Sequence, residues 1–325
     1  MVRFFFILIF FFTSALSFAA EDVVILGGGV GGMSSALYLS RAGVKSIIIE
    51  GKDPGGLIAQ SHKVQNWPSE IEIAGYELAE KIKKQALSSG VEFFEGVVTR
   101  VNFNERPYAI EVTDFNGNKK VLKAKSCIIA MGTTPNLLRI KGESEFWGKG
   151  VTNCAVCDGP LYRNKKVAIV GGGDSALIEA EYLSDIAKNV YVFVRKEKFK
   201  TVEIKRLNKL KKKKNVQFFY ESTLQEIHGD NDSVTHIDVK TKNKTKTIKV
   251  DGIFLAIGSK PNTSIFKGQI ELDEKGYILL EKDQQTSKKG VYAVGDIVDP
   301  VYKQAISASG DGAKAALQAI DHLFE

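Results

Sequence analysis

Cys154 and Cys157 stand two residues apart in the stretch VTNCAVCDGP (151–160), with Asp158 directly behind. A pair at this spacing serves four chemistries. A structural zinc is four-coordinate, so it needs two further ligands. The chain has no second C-x-x-C, and its four histidines (62, 228, 236 and 322) show no ligand spacing; no metal is expected. Haem attachment requires a histidine after the second cysteine, where this chain has Asp158. A static disulfide across two residues closes a very small loop and adds little stability. A redox pair is chemically direct, because the thiolate is the reactive species and a neighbouring acid–base group assists it. Asp158 is suited to protonate a thiolate leaving on reduction and to take the proton back; a helix N-cap is its plain structural alternative. The remaining cysteine, Cys127, sits in the apolar run CIIAMG and reads as an inert buried thiol.

Two glycine loops flank the pair. In VVILGGGVGGMSSALYLSRAGVKSIIIE a β-branched run meets Gly27-x-Gly29-x-x-Gly32, a helical stretch follows, and a second strand ends in Glu50. The glycines allow a tight turn and close approach of a pyrophosphate to a helix N-terminus, and an acid about 20 residues on accepts from ribose hydroxyls. The pattern returns as Gly171-x-Gly173-x-x-Ala176 in KVAIVGGGDSALIEAEYLSDIAKNVYVFVRK. There the second strand, expected over 190–194, ends in Arg195 and Lys196, with Lys200 close behind. Bases bind a 2′-phosphate that an acid repels. The first loop therefore suits FAD or NAD, and the second suits NADPH.

The nine-residue stretches IIAMGTTPN (128–136) and FLAIGSKPN (254–262) are two versions of one pattern. Each lies downstream of one glycine loop, so the chain contains two dinucleotide modules, the second inserted into the first. The expected division is residues 21–135 with 255–325 for the first domain and 136–254 for the second, with two crossings that form a swivel. After the second crossing, VGDIVDPVYKQAISASGDG carries Gly295 and Asp296 behind a strand and a small-residue helix from about Gln304.

With 325 residues the chain can hold two domains, and its charge of +7 is moderate. The run Lys211–Lys214 has no interleaved aromatics and reads as a solvated helix end, so no nucleic-acid partner is expected. Residues 1–20, with Arg3, the apolar run Phe4–Phe12 and Ser17 and Ala19 before a cleavage point after Ala19, read as a secretory signal. An uncleaved anchor is the alternative, although the run is short for a membrane span. A third reading is a misassigned start, but the next methionine, Met33, lies beyond the first glycine motif.

Together, Gly27-x-Gly29-x-x-Gly32, PGGLIAQSHKVQNWP (54–68), the two Ala-x-Gly repeats, CAVCDG, GGGDSA and VGDIVDPVYKQAISASGDG resemble the low-molecular-weight thioredoxin reductases of bacteria and plants, from about Asp22 to the C-terminus. The resemblance implies an α/β fold of two Rossmann-like dinucleotide-binding domains, each a three-layer ββα sandwich, with the NADPH domain inserted into the FAD domain and carrying the cysteine pair. It also implies a homodimer and a thioredoxin-like partner. The FAD site maps to Gly27, Gly29 and Gly32, to Glu50, Gly51, Lys52, Asp53, Pro54, Gly55, Gly56 and Leu57, and to Asn66 and Gly132. It continues through Gly295, Asp296, Ile297, Val298, Asp299, Pro300, Val301, Tyr302, Lys303, Gln304 and Ala305. The NADPH site maps to Gly171, Gly173, Asp174, Ser175, Ala176, Arg195, Lys196 and Lys200. The family pattern further implies that Cys157 lies against the flavin, Cys154 attacks thioredoxin, and Asp158 manages protons. Leu57 replaces a usual glutamine and Lys303 a usual arginine. Val194-Arg195-Lys196 stands for a usual His-Arg-Arg, and Lys200 for a further arginine. Lysine lacks the bidentate fork of arginine, which weakens the preference for NADPH. The expected activity is NADPH-dependent thioredoxin-disulfide reduction, cytoplasmic by resemblance. An exported FAD-dependent dithiol oxidase is the alternative that the N-terminus favours.

Overall fold

The computed structural model describes residues 20–201, 203–242 and 244–325. The signal-like stretch therefore lies outside the described residues, apart from Ala20. Among them, no helix is long and apolar enough to cross a membrane.

Two Rossmann-like sheets organise the chain. The first is eight-stranded and begins with Glu21–Leu26, which pairs in parallel with both Ser46–Glu50 and Lys119–Ile129. Glu92–Asn102 and Val291–Ala293 extend the parallel core on either side. The long strands Glu92–Asn102 and Lys119–Ile129 leave this core at one end, where both pair antiparallel with Tyr108–Asp114. Residue alternation explains the layering, since successive side chains of a strand point to opposite faces. Val23 and Ile25 pack under the helices Val30–Arg41 and Ala305–Phe324, against Met33, Ala36, Ala315 and Ala316. Val24 and Leu26 pack against Val98, Val101, Ile110 and Val112 of the antiparallel layer. Helices, parallel sheet and antiparallel sheet form the expected three-layer ββα sandwich. Cys127 is fully buried there, and burial pushes its thiol far above the ordinary cysteine value, as suits an inert group.

The second sheet runs Val216–Phe219, Asn189–Phe193, Lys166–Val170, Gly252–Leu255 and Val151–Thr152, parallel throughout. One face buries Ala176, Leu177, Ala180 and Leu183 of the helix Asp174–Ser184. The other buries Leu224, Ile227, Ile237 and Val239 of a three-stranded antiparallel sheet. The lysine run begins at the end of the helix Ile204–Lys211; Lys213 reaches Asp185, and Lys211, Lys212 and Lys214 are exposed.

The two Ala-x-Gly repeats meet each other. Thr133–Pro135 pairs antiparallel with Ser259–Pro261 in a two-stranded crossover between the sheets. The terminal asparagines exchange equivalent bonds. Asn136 Nδ2 donates to the Ile257 carbonyl at 3.0 Å, and Asn262 Nδ2 donates to the Met131 carbonyl at 2.8 Å. Each carbonyl belongs to the residue just before the glycine of the opposite repeat. This reciprocal pairing gives the Pro-Asn endings a structural reason.

Candidate active site

A cleft of about 610 Å³ joins the first glycine loop to the cysteine pair. Gly27 opens it with φ +113°; a Cβ there would lie 2.4 Å from the Ala130 carbonyl oxygen. A Cβ on Gly32 would meet the Gly27 carbonyl oxygen at 2.0 Å. Gly29 differs: nothing in the protein lies within 4 Å of the position its Cβ would occupy. Two glycines thus close the turn and the middle one faces open space, as a pyrophosphate requires. Glu50 stands behind the loop, 1% exposed. Its Oε2 accepts from Lys83, while Oε1 is buried without a partner and points at Gly28. An orphaned carboxylate oxygen beside a nucleotide loop is an acceptor for a ribose hydroxyl. The residues present therefore fit a flavin dinucleotide.

Most of the sequence-predicted flavin residues surround this cleft. Gly51, Lys52, Asp53, Gly55, Gly56, Leu57, Asn66, Gly132, Gly295, Asp296, Pro300, Val301, Tyr302, Lys303, Gln304 and Ala305 all line it. Ile297 does not: its side chain is fully buried in the core of the antiparallel layer. Pro54 and Val298 also fall outside the lining. Asp299 acts one step removed, its carboxylate accepting the amides of Val301, Tyr302 and Lys303 at 2.8, 2.8 and 3.0 Å and shaping their loop. Burial raises Asp296 to about 6, against the lowering effect of Lys303. Lys303, in place of the usual arginine, donates to the Ser259 hydroxyl at 2.5 Å and so ties this loop to the crossover.

Cys154 and Cys157 form a disulfide at the same cleft. Cys154 is the N-cap of the short helix Ala155–Asp158, and its Sγ accepts the Cys157 amide at 3.2 Å. Asp158 closes that helix and stands at the N-cap position of the next turn, Gly159–Tyr162, but its side chain makes no capping bond there; its carboxylate accepts from the Thr152 hydroxyl. Burial raises the Asp158 carboxyl above its ordinary value, and the Thr152 hydrogen bond partly lowers it. Thr152 also accepts the Cys154 amide at 3.2 Å, so one hydroxyl orients both the acid and the first cysteine. Gln304 faces the disulfide from the other domain, with Nε2 3.9 Å from Cys157 Sγ and Oε1 held by Asn66 at 3.4 Å.

The second glycine loop lies elsewhere. Gly171, Gly173, Asp174, Ala176, Arg195, Lys196 and Lys200 do not line the cleft; of that group only Ser175 does. A Cβ on Gly171 would lie 2.5 Å from the Ala256 carbonyl oxygen, whereas Gly173 has only the Lys200 carbonyl oxygen near, at 3.8 Å. Ala176 is a core residue. Asp174 opens the helix and accepts from Thr201. Arg195, Lys196 and Lys200 are exposed and, among the described residues, carry no ion pair. An open glycine beside three free cations fits a phosphorylated dinucleotide.

Three residues at or near the chemistry carried no sequence signal: Thr152, Glu179 and Tyr182. The three-stranded sheet also gathers Glu226, His228 and Asp238, whose candidate ligand atoms lie within 4.8 Å of one another, although no ligand spacing announced them. They face opposite nitrogens of one imidazole, His228 Nε2 meeting Asp238 at 3.0 Å and Nδ1 meeting Glu226 at 3.8 Å, and Lys141 also occupies Glu226.

Comparison with known proteins decides the family. The pyridine nucleotide-disulphide oxidoreductase model matches residues 21–312. Thioredoxin reductase of Buchnera aphidicola subsp. Schizaphis graminum is 37% identical over 304 residues, covering 90% of this chain and 93% of that one. The chain belongs to the thioredoxin reductases. The solved thioredoxin reductase from Giardia duodenalis is 38% identical and covers 94% of this chain and 99% of its own, at TM-score 0.87. Lactococcus lactis thioredoxin reductase in its FR conformation is 32% identical with the same coverage, but its TM-score is 0.61. Like its family, the chain is an oxidoreductase acting on a sulfur group with FAD and NADPH as cofactors. The oxidase alternative finds no support in these relatives.

Proposed function

We propose that this protein transfers electrons from NADPH to the disulfide of a thioredoxin or thioredoxin-like partner through Cys154 and Cys157. The observation that carries the reading is the position of the disulfide: it closes the same cleft that the first glycine loop opens, under Gln304. FAD bound along that cleft supplies the two-electron relay between NADPH and the cysteine pair.

The chain's own residues divide the remaining work. Gly27, Gly29, Gly32 and Glu50 hold the flavin nucleotide; Gly171, Gly173, Arg195, Lys196 and Lys200 hold NADPH. Opening of the disulfide requires protons, and Asp158 is placed to supply one, its raised carboxyl being protonated more readily than an exposed aspartate. Cys154 is the nucleophile toward the partner, because the Cys157 amide at its sulfur favours the thiolate. That thiolate attacks one sulfur of the partner disulfide and forms a mixed disulfide. Cys157 then attacks Cys154 Sγ, which restores the internal disulfide and releases the partner as a dithiol.

In the arrangement seen here the pair faces the cleft, so a partner reaches Cys154 only after the domains turn. We place the swivel at the crossover Thr133–Pro135 and Ser259–Pro261. The drop in TM-score against the Lactococcus lactis FR conformation, at full coverage and similar identity, supports two arrangements. The protein acts as a homodimer in this reading, and residues 1–20 direct export or tethering. N-terminal sequencing of the mature protein with cell fractionation checks the latter, and an unprocessed cytoplasmic chain overturns it.

Anaerobic mixing with one equivalent of NADPH tests the function. The expected result is two new titratable thiols per chain and loss of both on addition of oxidised thioredoxin. Absence of new thiols after NADPH addition overturns it.

A further inference from the structure

The helix Asp174–Ser184 turns two stripes outward from its axis. Ala176, Leu177, Ala180 and Leu183 pack on the parallel sheet. Ser175, Ile178, Glu179 and Tyr182 form the opposite stripe, and all four line the cleft that holds the disulfide. Glu179 is the anomaly. Its Oε2 is sealed from solvent with no hydrogen-bond partner, and it forms no ion pair among the described residues. The residue as a whole is half-buried, but a carboxylate with one oxygen sealed off and unpartnered is costly to ionise, so such a group takes a proton.

We propose that Glu179 is a proton-holding residue that couples closure of the cleft onto the disulfide to uptake of one proton. The stripe that carries it belongs to the inserted domain, and the cleft is completed by the other domain through Gly29, Asp296 and Gln304. Turning the domains about the crossover removes that cover and returns the carboxyl to water. The arrangement seen here therefore holds one more proton than the open one. Acid favours the disulfide facing the cofactor cleft, and base favours the arrangement in which Cys154 meets its partner. This rests on the two arrangements proposed above.

No neighbouring charge competes with burial as the cause. The charged groups lining the cleft are Lys52, Asp53, Lys63, Asp158, Asp296 and Lys303. On the helix itself, Asp174 is engaged by Thr201, Glu181 by Arg206 and Lys209, and Asp185 by Lys213. Burial alone raises Glu179 from 4.5 to about 8. The sign follows by linkage: the proton-bound, closed arrangement is fully favoured below 4.5, and loses that advantage as pH rises to about 8. Within this window the closed-to-open ratio falls roughly tenfold per pH unit on account of this one group.

Small-angle X-ray scattering of the oxidised, FAD-loaded full chain as a function of pH reads the ratio without turnover. Asp158 and Asp296 add their own slopes, so the difference between proteins is decisive. The Glu179→Gln variant should lose one unit of slope in log(closed/open) against pH between 4.5 and about 8 and match the wild type in slope above that. Equal slopes in the two proteins overturn the proposal. Infrared titration of the wild type needs no variant: a protonated carboxyl band should disappear with a midpoint above 4.5 and no higher than about 8, and absence of that band overturns the proposal too. Either failure leaves the thiol count after NADPH addition unchanged, so it is distinguishable from failure of the reductase reading.

Discussion

The Gln304 side-chain amide faces both sulfurs of the disulfide, with Nε2 4.0 Å from Cys154 Sγ and 3.9 Å from Cys157 Sγ. Gln304 is the N-cap position of the last helix and belongs to the flavin-type domain, while the disulfide belongs to the inserted one. On the proposed swivel, this contact is broken when the domains turn. Gln304→Leu should slow NADPH-dependent opening of Cys154–Cys157 by about fivefold, the value of one weak hydrogen bond of ~1 kcal/mol. Rapid-quench thiol titration checks this, and an unchanged rate removes Gln304 from the docking contact.

Thr152 sets the acidity of Asp158. Its hydroxyl lowers the Asp158 carboxyl against the upward push of burial. Thr152→Val should therefore raise the Asp158 pKa further and move the alkaline limb of the pH–rate profile upward. Asp158→Asn should lower turnover yet stabilise the fold at neutral pH. The raised carboxyl contributes stability that is complete below its ordinary value of 3.8 and is lost as pH rises through the higher folded value. Thermal melts at neutral and acidic pH check the sign: the variant's advantage should vanish in acid.

Gly27 and Gly29 of the first loop should separate folding from cofactor binding. Gly27→Ala places a methyl on the Ala130 carbonyl in a left-handed backbone region, which should cost about 1–3 kcal/mol of apoprotein stability and also the flavin. Gly29→Ala meets no protein atom, so the apoprotein melt should stay within about 0.5 kcal/mol of wild type. Flavin retention on gel filtration should nevertheless be lost in both.

Arg195, Lys196 and Lys200 are unpaired among the described residues and exposed, which leaves them available to a 2′-phosphate. Arg195→Gln should raise the KM for NADPH roughly tenfold to a hundredfold, the worth of a charge-assisted hydrogen bond, while leaving that for NADH near its original value. Lys200→Arg should restore the bidentate fork and sharpen the preference. Steady-state kinetics with both nucleotides checks the pair of variants.

What the sequence made legible follows from where the signal is stored. Gly27, Gly29, Gly32 and Glu50 announce themselves because a tight turn, an open approach and an acceptor are each demanded at a fixed spacing along one βαβ unit. The cysteine pair is readable for the same local reason. Thr152 and Glu179 are not, since their roles arise from burial and from contacts across the tertiary fold that no spacing encodes. Glu226, His228 and Asp238 converge through strand pairing between Ser222–Gly229 and Val234–Thr241, which brings His228 opposite His236. Ile297 illustrates the opposite limit: it lies within a contiguous binding motif, but it ends the 3-10 turn Gly295–Ile297 and its side chain enters the core. The repeat was legible as a repeat, whereas the reciprocal bonds of Asn136 and Asn262 needed the two copies side by side.

The most direct test of the central claim is thioredoxin-dependent NADPH oxidation by the Cys157→Ser protein with its FAD retained. Cys157 is half of the only disulfide among the described residues and is placed to resolve the mixed disulfide on Cys154. Turnover should be abolished while the visible spectrum of bound flavin persists, and Cys154 should attack a single-cysteine thioredoxin activated as its thionitrobenzoate disulfide, expelling thionitrobenzoate and accumulating as a stable mixed disulfide. Retained turnover in Cys157→Ser contradicts the electron path through the pair.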